Sequence, residues 1–181
     1  MPEFFKELGF KVGIEIGTFM GTYSEIFAKS GLKIYTVDPW LAYPDYPHYS
    51  TPLAQRRLDS QCKKATALLA PYLNCVVIRK TSMEAAKDFE NRSLDFVYID
   101  GNHAFKYVAE DLCDWSKKVR KGGIISGHDY IYSKPTTFHV HHVVDAYVEA
   151  FGIKNFWILG RKIYKEGERR DRWRSWMWFN P

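Results

Sequence analysis

Lys11–Gly21 reads KVGIEIGTFMG, and the fold turns on how this stretch is read. Val12, Ile14 and Ile16 are β-formers, so a short strand is expected to end near Ile16. The run breaks at Gly17-Thr18-Phe19-Met20-Gly21, after which Tyr23–Lys29 has the composition of a helix. A strand passing through a glycine turn into a helix presents backbone N–H groups at a positive helix end. Glycines without a Cβ let a ligand come close to that backbone. Glu15 is expected at the carboxyl end of the strand, facing the crevice. An ordinary strand–turn–helix with a surface acid would look the same, so the residues beyond must decide.

Those residues are Lys33–Asp38, KIYTVD, a second short strand that ends in an acid. Asp38 lies about twenty residues past the turn, where nucleotide-binding folds place their ribose carboxylate. A nicotinamide site would carry GxGxxG, which keeps an oxidoreductase only as a third reading. Here the glycines are Gly13, Gly17 and Gly21, with Phe19 in the place of a middle glycine. That spacing suits a ligand with an adenosine but no pyrophosphate. The segment EIGTFMGTYSE resembles the first motif of class I S-adenosylmethionine-dependent methyltransferases, in particular their metal-dependent O-methyltransferase branch. It departs from that motif by an extra Thr22. The resemblance implies a Rossmann-like α/β fold with a seven-stranded, mostly parallel sheet in the order 3-2-1-4-5-7-6. It also implies S-adenosylmethionine as cofactor. Glu15, Gly17, Thr18 and Gly21 would line its methionine portion, Asp38 its ribose, and Ser82 and Met83 its adenine, with Asp100 also in contact.

Length and composition bound the answer. With 181 residues, 46% hydrophobic and 26% charged, a single globular domain spanning 1–181 is expected. Cys62, Cys75 and Cys113 are odd in number and lack metal spacing, which fits buried or idle thiols in a reducing compartment. No apolar run is long enough to cross a bilayer and no signal-peptide pattern opens the chain, so a cytoplasmic protein is expected. The net charge of +5 is concentrated: Arg161–Arg174 holds seven basic and three acidic residues, or +4.

Along the chain, Pro2–Leu8 suits a short leading helix. Trp40–Tyr49 is a Tyr- and Pro-rich loop, either a substrate loop or a surface loop packed on its own aromatics. Thr51-Pro52 opens a helix to about Leu69, with Leu53, Leu58, Cys62, Ala65, Leu68 and Leu69 on its apolar stripe. Cys75–Arg79 is a third strand, and a helix starts near Thr81 or Ser82. Leu94–Asp100 is a fourth strand, apolar enough to be covered on both faces. A helix follows over Ala104–Val119, ending at Lys121-Gly122-Gly123, and a fifth strand begins at Ile124. Val143–Phe151 reads as a helix buried through Val143, Ala146, Tyr147 and Ala150. Asn155–Leu159 and Ser175–Phe179 read as closing strands, and with no helix between them they imply an antiparallel hairpin.

Asp100-Gly101-Asn102-His103 and Gly127-His128-Asp129-Tyr130 each follow a predicted strand at its carboxyl end, where open α/β sheets bind ligands. They resemble the DGxH and GHDY segments of a group of small methyltransferases. In catechol-type O-methyltransferases an acid ends strand four, a basic residue follows three positions later, and two ligands end strand five. Carried over, this implies a divalent cation (Mg²⁺ or Mn²⁺) held by Asp100, His128 and Asp129, with His103 as general base. Here the base is His rather than Lys, and a histidine replaces one oxygen ligand, which shifts preference towards Mn²⁺, Fe²⁺ or Zn²⁺. The simpler alternative is that both aspartates cap the segments after them and hydrogen-bond the histidines.

Other conspicuous residues have plainer readings. His139, His141 and His142 open a helix, where polar capping is the expected role over metal binding. Trp173, Trp176, Trp178 and Phe179 alternate as core residues do, although they could stack bases. The Arg161–Arg174 loop could track phosphates, and a nucleic-acid-binding or nucleic-acid-modifying module is therefore the alternative function. The favoured acceptor is a hydroxyl oxygen of a small molecule or sugar.

Overall fold

β1 (Val12–Ile16) pairs in parallel with β2 (Lys33–Val37), and β2 with β3 (Cys75–Ile78). The computed structural model describes residues 1–42, 52–132, 138–160 and 173–181. Its contacts fall into two units, Met1–Ala85 and Ala86–Pro181. The first unit adds α1 (Pro2–Glu7), α2 (Thr22–Lys29), α3 (Pro52–Leu69) and the single turn α4 (Ser82–Ala85). Phe5, Ile14, Phe27, Ile34 and Leu69 are buried in it.

The second unit opens with a 3-10 turn and continues with β4 (Leu94–Ile99), α5 (Phe105–Lys118) and β5 (Val119–Gly127). α6 (Val140–Ala150), β6 (Phe156–Ile158) and β7 (Trp176–Phe179) complete it. β4 and β5 are parallel, whereas β7 runs antiparallel to both β5 and β6. The strand order is β3-β2-β1-β4-β5-β7-β6, the order implied by the resemblance, with the closing hairpin read from the sequence. Phe96, Val97, Tyr98 and Ile99 are all buried, as a strand covered on both faces requires. Trp176 and Trp178 are buried and stacked 5.2 Å apart, so they are core residues.

Three expectations are corrected. β5 starts at Val119, directly after α5, and Lys121-Gly122-Gly123 lies within it. Gly122 has φ +72°, and the register with β4 shifts between Leu94 and Phe96, so the glycines bend the strand instead of ending a helix. α6 begins three residues early, and its buried residues are Val140, His141, Val143 and Val144, while Ala146 and Ala150 are exposed. Leu53 is exposed, so the α3 stripe is carried by Ala54, Ala65 and Leu69. Of the three thiols, Cys113 is exposed and Cys62 and Cys75 are half-buried.

Candidate active site

In the first unit, β1 ends at a turn built from left-handed residues. Gly17, Phe19 and Gly21 have φ of +99°, +49° and +81°. Gly21 is fixed twice, because a Cβ there would also stand 3.1 Å from Leu69 Cδ1 on α3. The N–H of Gly21 donates to Thr18 O at 2.7 Å, closing the turn. Asp38, just past β2, ties to this turn: its Oδ2 accepts the Phe19 N–H at 2.9 Å. Its Oδ1 accepts the Trp40 N–H at 2.8 Å, and Trp40 Nε1 donates to Phe19 O at 2.8 Å. Burial raises the Asp38 carboxyl above the usual carboxylate range, with the two N–H donors opposing it.

Glu15 is placed differently from the expectation. It is 2% exposed, and its Oε2 accepts the hydroxyls of Ser24 on α2 and, at 2.9 Å, Thr36 on β2. With the Thr36 proton committed to Glu15, Thr18 donates to Thr36 Oγ1 at 2.6 Å. Glu15 therefore anchors α2 and the glycine turn from beneath. Ser82 and Met83 open α4 and are half-buried. The cap there is Thr81, whose Oγ1 accepts the Glu84 N–H while Glu84 Oε2 accepts the Thr81 N–H at 3.0 Å, a capping box. Gln55 on α3 was not singled out by its sequence context. It donates to Trp40 O and accepts the Ala42 N–H, both at 2.9 Å. Residues 43–51 of the Trp40–Tyr49 loop and its helix opening lie outside the described residues, as do 133–137 and most of the basic Arg161–Arg174 loop, 161–172.

In the second unit, Asp100, His103, His128 and Asp129 gather past the ends of β4 and β5. His103 Nε2 lies 2.5 Å from Asp129 Oδ2 and 3.8 Å from Asp100 Oδ1. His128 Nδ1 lies 3.2 Å from Asp129 Oδ1 and 3.9 Å from Asp100 Oδ1. Asp129 holds φ +61°, uncommon for a residue with a side chain and tolerated best by Asp and Asn. Burial pushes Asp100 up. It does the same to Asp129, but the two histidines overcome it and hold Asp129 well below the usual range. Burial lowers His103, yet Asp100 and Asp129 outweigh it and raise the imidazole to about 9. At pH 7 without a cation that ring carries both protons, where the base expected from the sequence would be neutral.

The residues fit a divalent cation. One donor atom each from Asp100, His103 and Asp129 lies within 4.8 Å of the others. His103 Nε2 is also buried with no acceptor along a hydrogen-bond direction, despite its close contact with Asp129. The tight set thus contains His103, where the motif pattern put His128.

Two residues hold this cluster: Phe138, which the sequence reading passed over, and His139, which it read as a helix cap. Phe138 stacks on the His103 ring at 4.9 Å and 16°. His139, expected to cap its own helix, makes no side-chain cap there; its Nδ1 accepts the Phe105 N–H at the start of α5, at 3.1 Å. The available signal was Ala104, a poor N-cap residue opening a strongly amphipathic helix.

The family described as a methyltransferase domain matches residues 14–130, and the chain belongs to that family. The match runs from β1 through both acid-bearing turns. Among solved structures, the O-methyltransferase from Bacillus cereus in complex with SAH superposes with a TM-score of 0.66. It is 13% identical, over 97% of this chain and 77% of that one. The O-methyltransferase TomG from Streptomyces achromogenes, in complex with SAM, gives a TM-score of 0.65 at 13% identity, over 99% and 78%. These likenesses establish the class I methyltransferase fold. A curated relative, the uncharacterized protein y4gI of Sinorhizobium fredii, is 34% identical over 53 residues. That stretch is 29% of this chain and only 6% of the relative. No helix among the described residues is long and apolar enough to cross a membrane.

Proposed function

We propose that residues 1–181 form one S-adenosylmethionine-dependent methyltransferase domain that acts on a hydroxyl oxygen of a small molecule or sugar. The observation that carries the cofactor is Asp38. Each of its oxygens spends one lone pair on a backbone N–H and keeps another, so the pair can accept both hydroxyls of a ribose. Gly17, Thr18 and Gly21 shape the turn for the methionine portion, with Glu15 fixing it from below. Ser82 and Met83 stand at the adenine. Bound S-adenosylmethionine supplies a methyl already activated by its sulfonium, which leaves the protein to align an acceptor and take one proton. Alignment of that kind is worth as much as about 7–11 kcal/mol in favourable intramolecular cases.

A divalent cation held by Asp100, Asp129 and His103 would lower the pKa of an acceptor hydroxyl and so ease the loss of its proton. His128 borders this set, and its imidazole takes the acceptor's proton. This exchanges the two histidine roles suggested by the motif pattern, because His103 lies in the tighter donor set.

Isothermal titration with S-adenosylhomocysteine tests the cofactor reading. One site per chain is expected, and no heat at millimolar ligand would end it.

A further inference from the structure

α5 starts without a cap of its own. Its N-cap residue is Ala104, whose side chain cannot accept a hydrogen bond. Asn102 Oδ1 takes the Ala104 N–H at 3.0 Å, and His139 Nδ1 takes the Phe105 N–H at 3.1 Å. The His139 N–H in turn donates to His103 O at 2.8 Å. Phe138, one residue before, lies flat against the His103 ring. Two consecutive residues therefore grip the turn carrying His103 at its carbonyl, at its ring face and two residues downstream. Phe105 itself is 57% exposed.

We propose that His139 is a positioning residue that, with Phe138, fixes the His103 imidazole through the Asn102–Phe105 turn. The proposal rests on the reading above that His103 belongs to the reactive cluster. Reactive groups must be held to roughly half an ångström, and a ring on a short turn gains that precision from its supports. Because Nδ1 accepts, neutral His139 carries its proton on Nε2, so asparagine can replace the acceptor but alanine cannot.

The test uses His139→Ala, His139→Asn and Phe105→Pro in the full chain. Proline is tolerated at the first helical position, and Ala104 already has the extended φ −72°, ψ 146° that a following proline demands. Phe105→Pro thus removes the same bond from the donor side. The readouts are the His103 ring signals in long-range ¹H–¹⁵N spectra and the affinity for Mn²⁺ alone. Both His139→Ala and Phe105→Pro are expected to move the ring signals and weaken Mn²⁺ binding, by about 10–100-fold as supporting groups at metal sites do. The double variant is expected to lose no more than either single one, and His139→Asn to stay near wild type. Unmoved His103 signals in both single variants, or losses that multiply in the double, would overturn the proposal. If wild-type protein binds no Mn²⁺, the cation reading fails and the ring signals alone decide. If one single variant does not fold, the other and His139→Asn decide.

Discussion

Asp38 Oδ2 accepts the backbone N–H of Phe19 at 2.9 Å, bonding the end of one strand to the glycine turn that follows another. The two residues it holds, Phe19 and Trp40, both have left-handed φ, +49° and +43°. Such conformations cost about 1–3 kcal/mol each and persist only where the surroundings impose them. Asp38 is therefore a structural pin as well as the proposed ribose acceptor.

Asp38→Ala removes both acceptors. It is expected to lower stability by about 1–3 kcal/mol, short of unfolding the chain, and to weaken S-adenosylhomocysteine binding. Urea melts and isothermal titration read the two effects. Undiminished ligand affinity in a folded variant would remove Asp38 from the cofactor site.

The glycine turn, both acid-bearing turns and the closing hairpin were legible because each rests on local pattern, whereas the strand order was implied by the family resemblance that those motifs carry. Strand alternation, left-handed glycines and strand-end acids are written in consecutive residues. What escaped depends on partners far along the chain. His139 reads as a cap for the helix it precedes, yet its ring serves a helix starting 34 residues earlier. Glu15 reads as a crevice acid, but Ser24 and Thr36 draw it inward. Gly122-Gly123 reads as a helix stop; only the register against β4 shows it as a bend in a strand.

Gly127 joins the fold to the cation cluster. A Cβ there would meet Ile99 O and a Trp176 ring carbon, each at 2.4 Å, and neither can retreat: one is backbone and the other a buried indole. Gly127→Ala is expected to cost about 1–3 kcal/mol in chemical denaturation, as overpacking does. It should also displace His128 and Asp129, the next two residues, and so weaken Mn²⁺ binding. A variant as stable as wild type would contradict the packing described for β5 and β7.

The three thiols should react unequally. Burial, with the Glu15 charge behind it, pushes Cys75 up to about 11, leaving little thiolate near pH 8. Cys113 is exposed. An aromatic disulfide reagent at pH 8 is expected to modify Cys113 rapidly and Cys75 only on unfolding. Rapid modification of Cys75 in the folded chain, located by mass mapping, would refute the suppression of its thiolate.

Asp129 allows charge and backbone to be separated. At φ +61° asparagine is nearly as well accommodated as aspartate, whereas alanine pays the left-handed penalty of about 1 kcal/mol. Both Asp129→Asn and Asp129→Ala remove the carboxylate that faces His103 and His128, so both should lose Mn²⁺ affinity at least tenfold. Asp129→Ala should be the less stable of the two. His103→Ala should weaken Mn²⁺ binding as strongly as Asp129→Asn, while His128→Ala should leave it within about threefold, since His103 lies in the tight donor set. Titration of chelator-stripped protein with Mn²⁺ reads all four variants. Were His128→Ala to abolish binding and His103→Ala to spare it, the histidine roles would revert to those of the motif pattern. Were none of the four to change it, any bound cation would lie elsewhere and the aspartates would be caps.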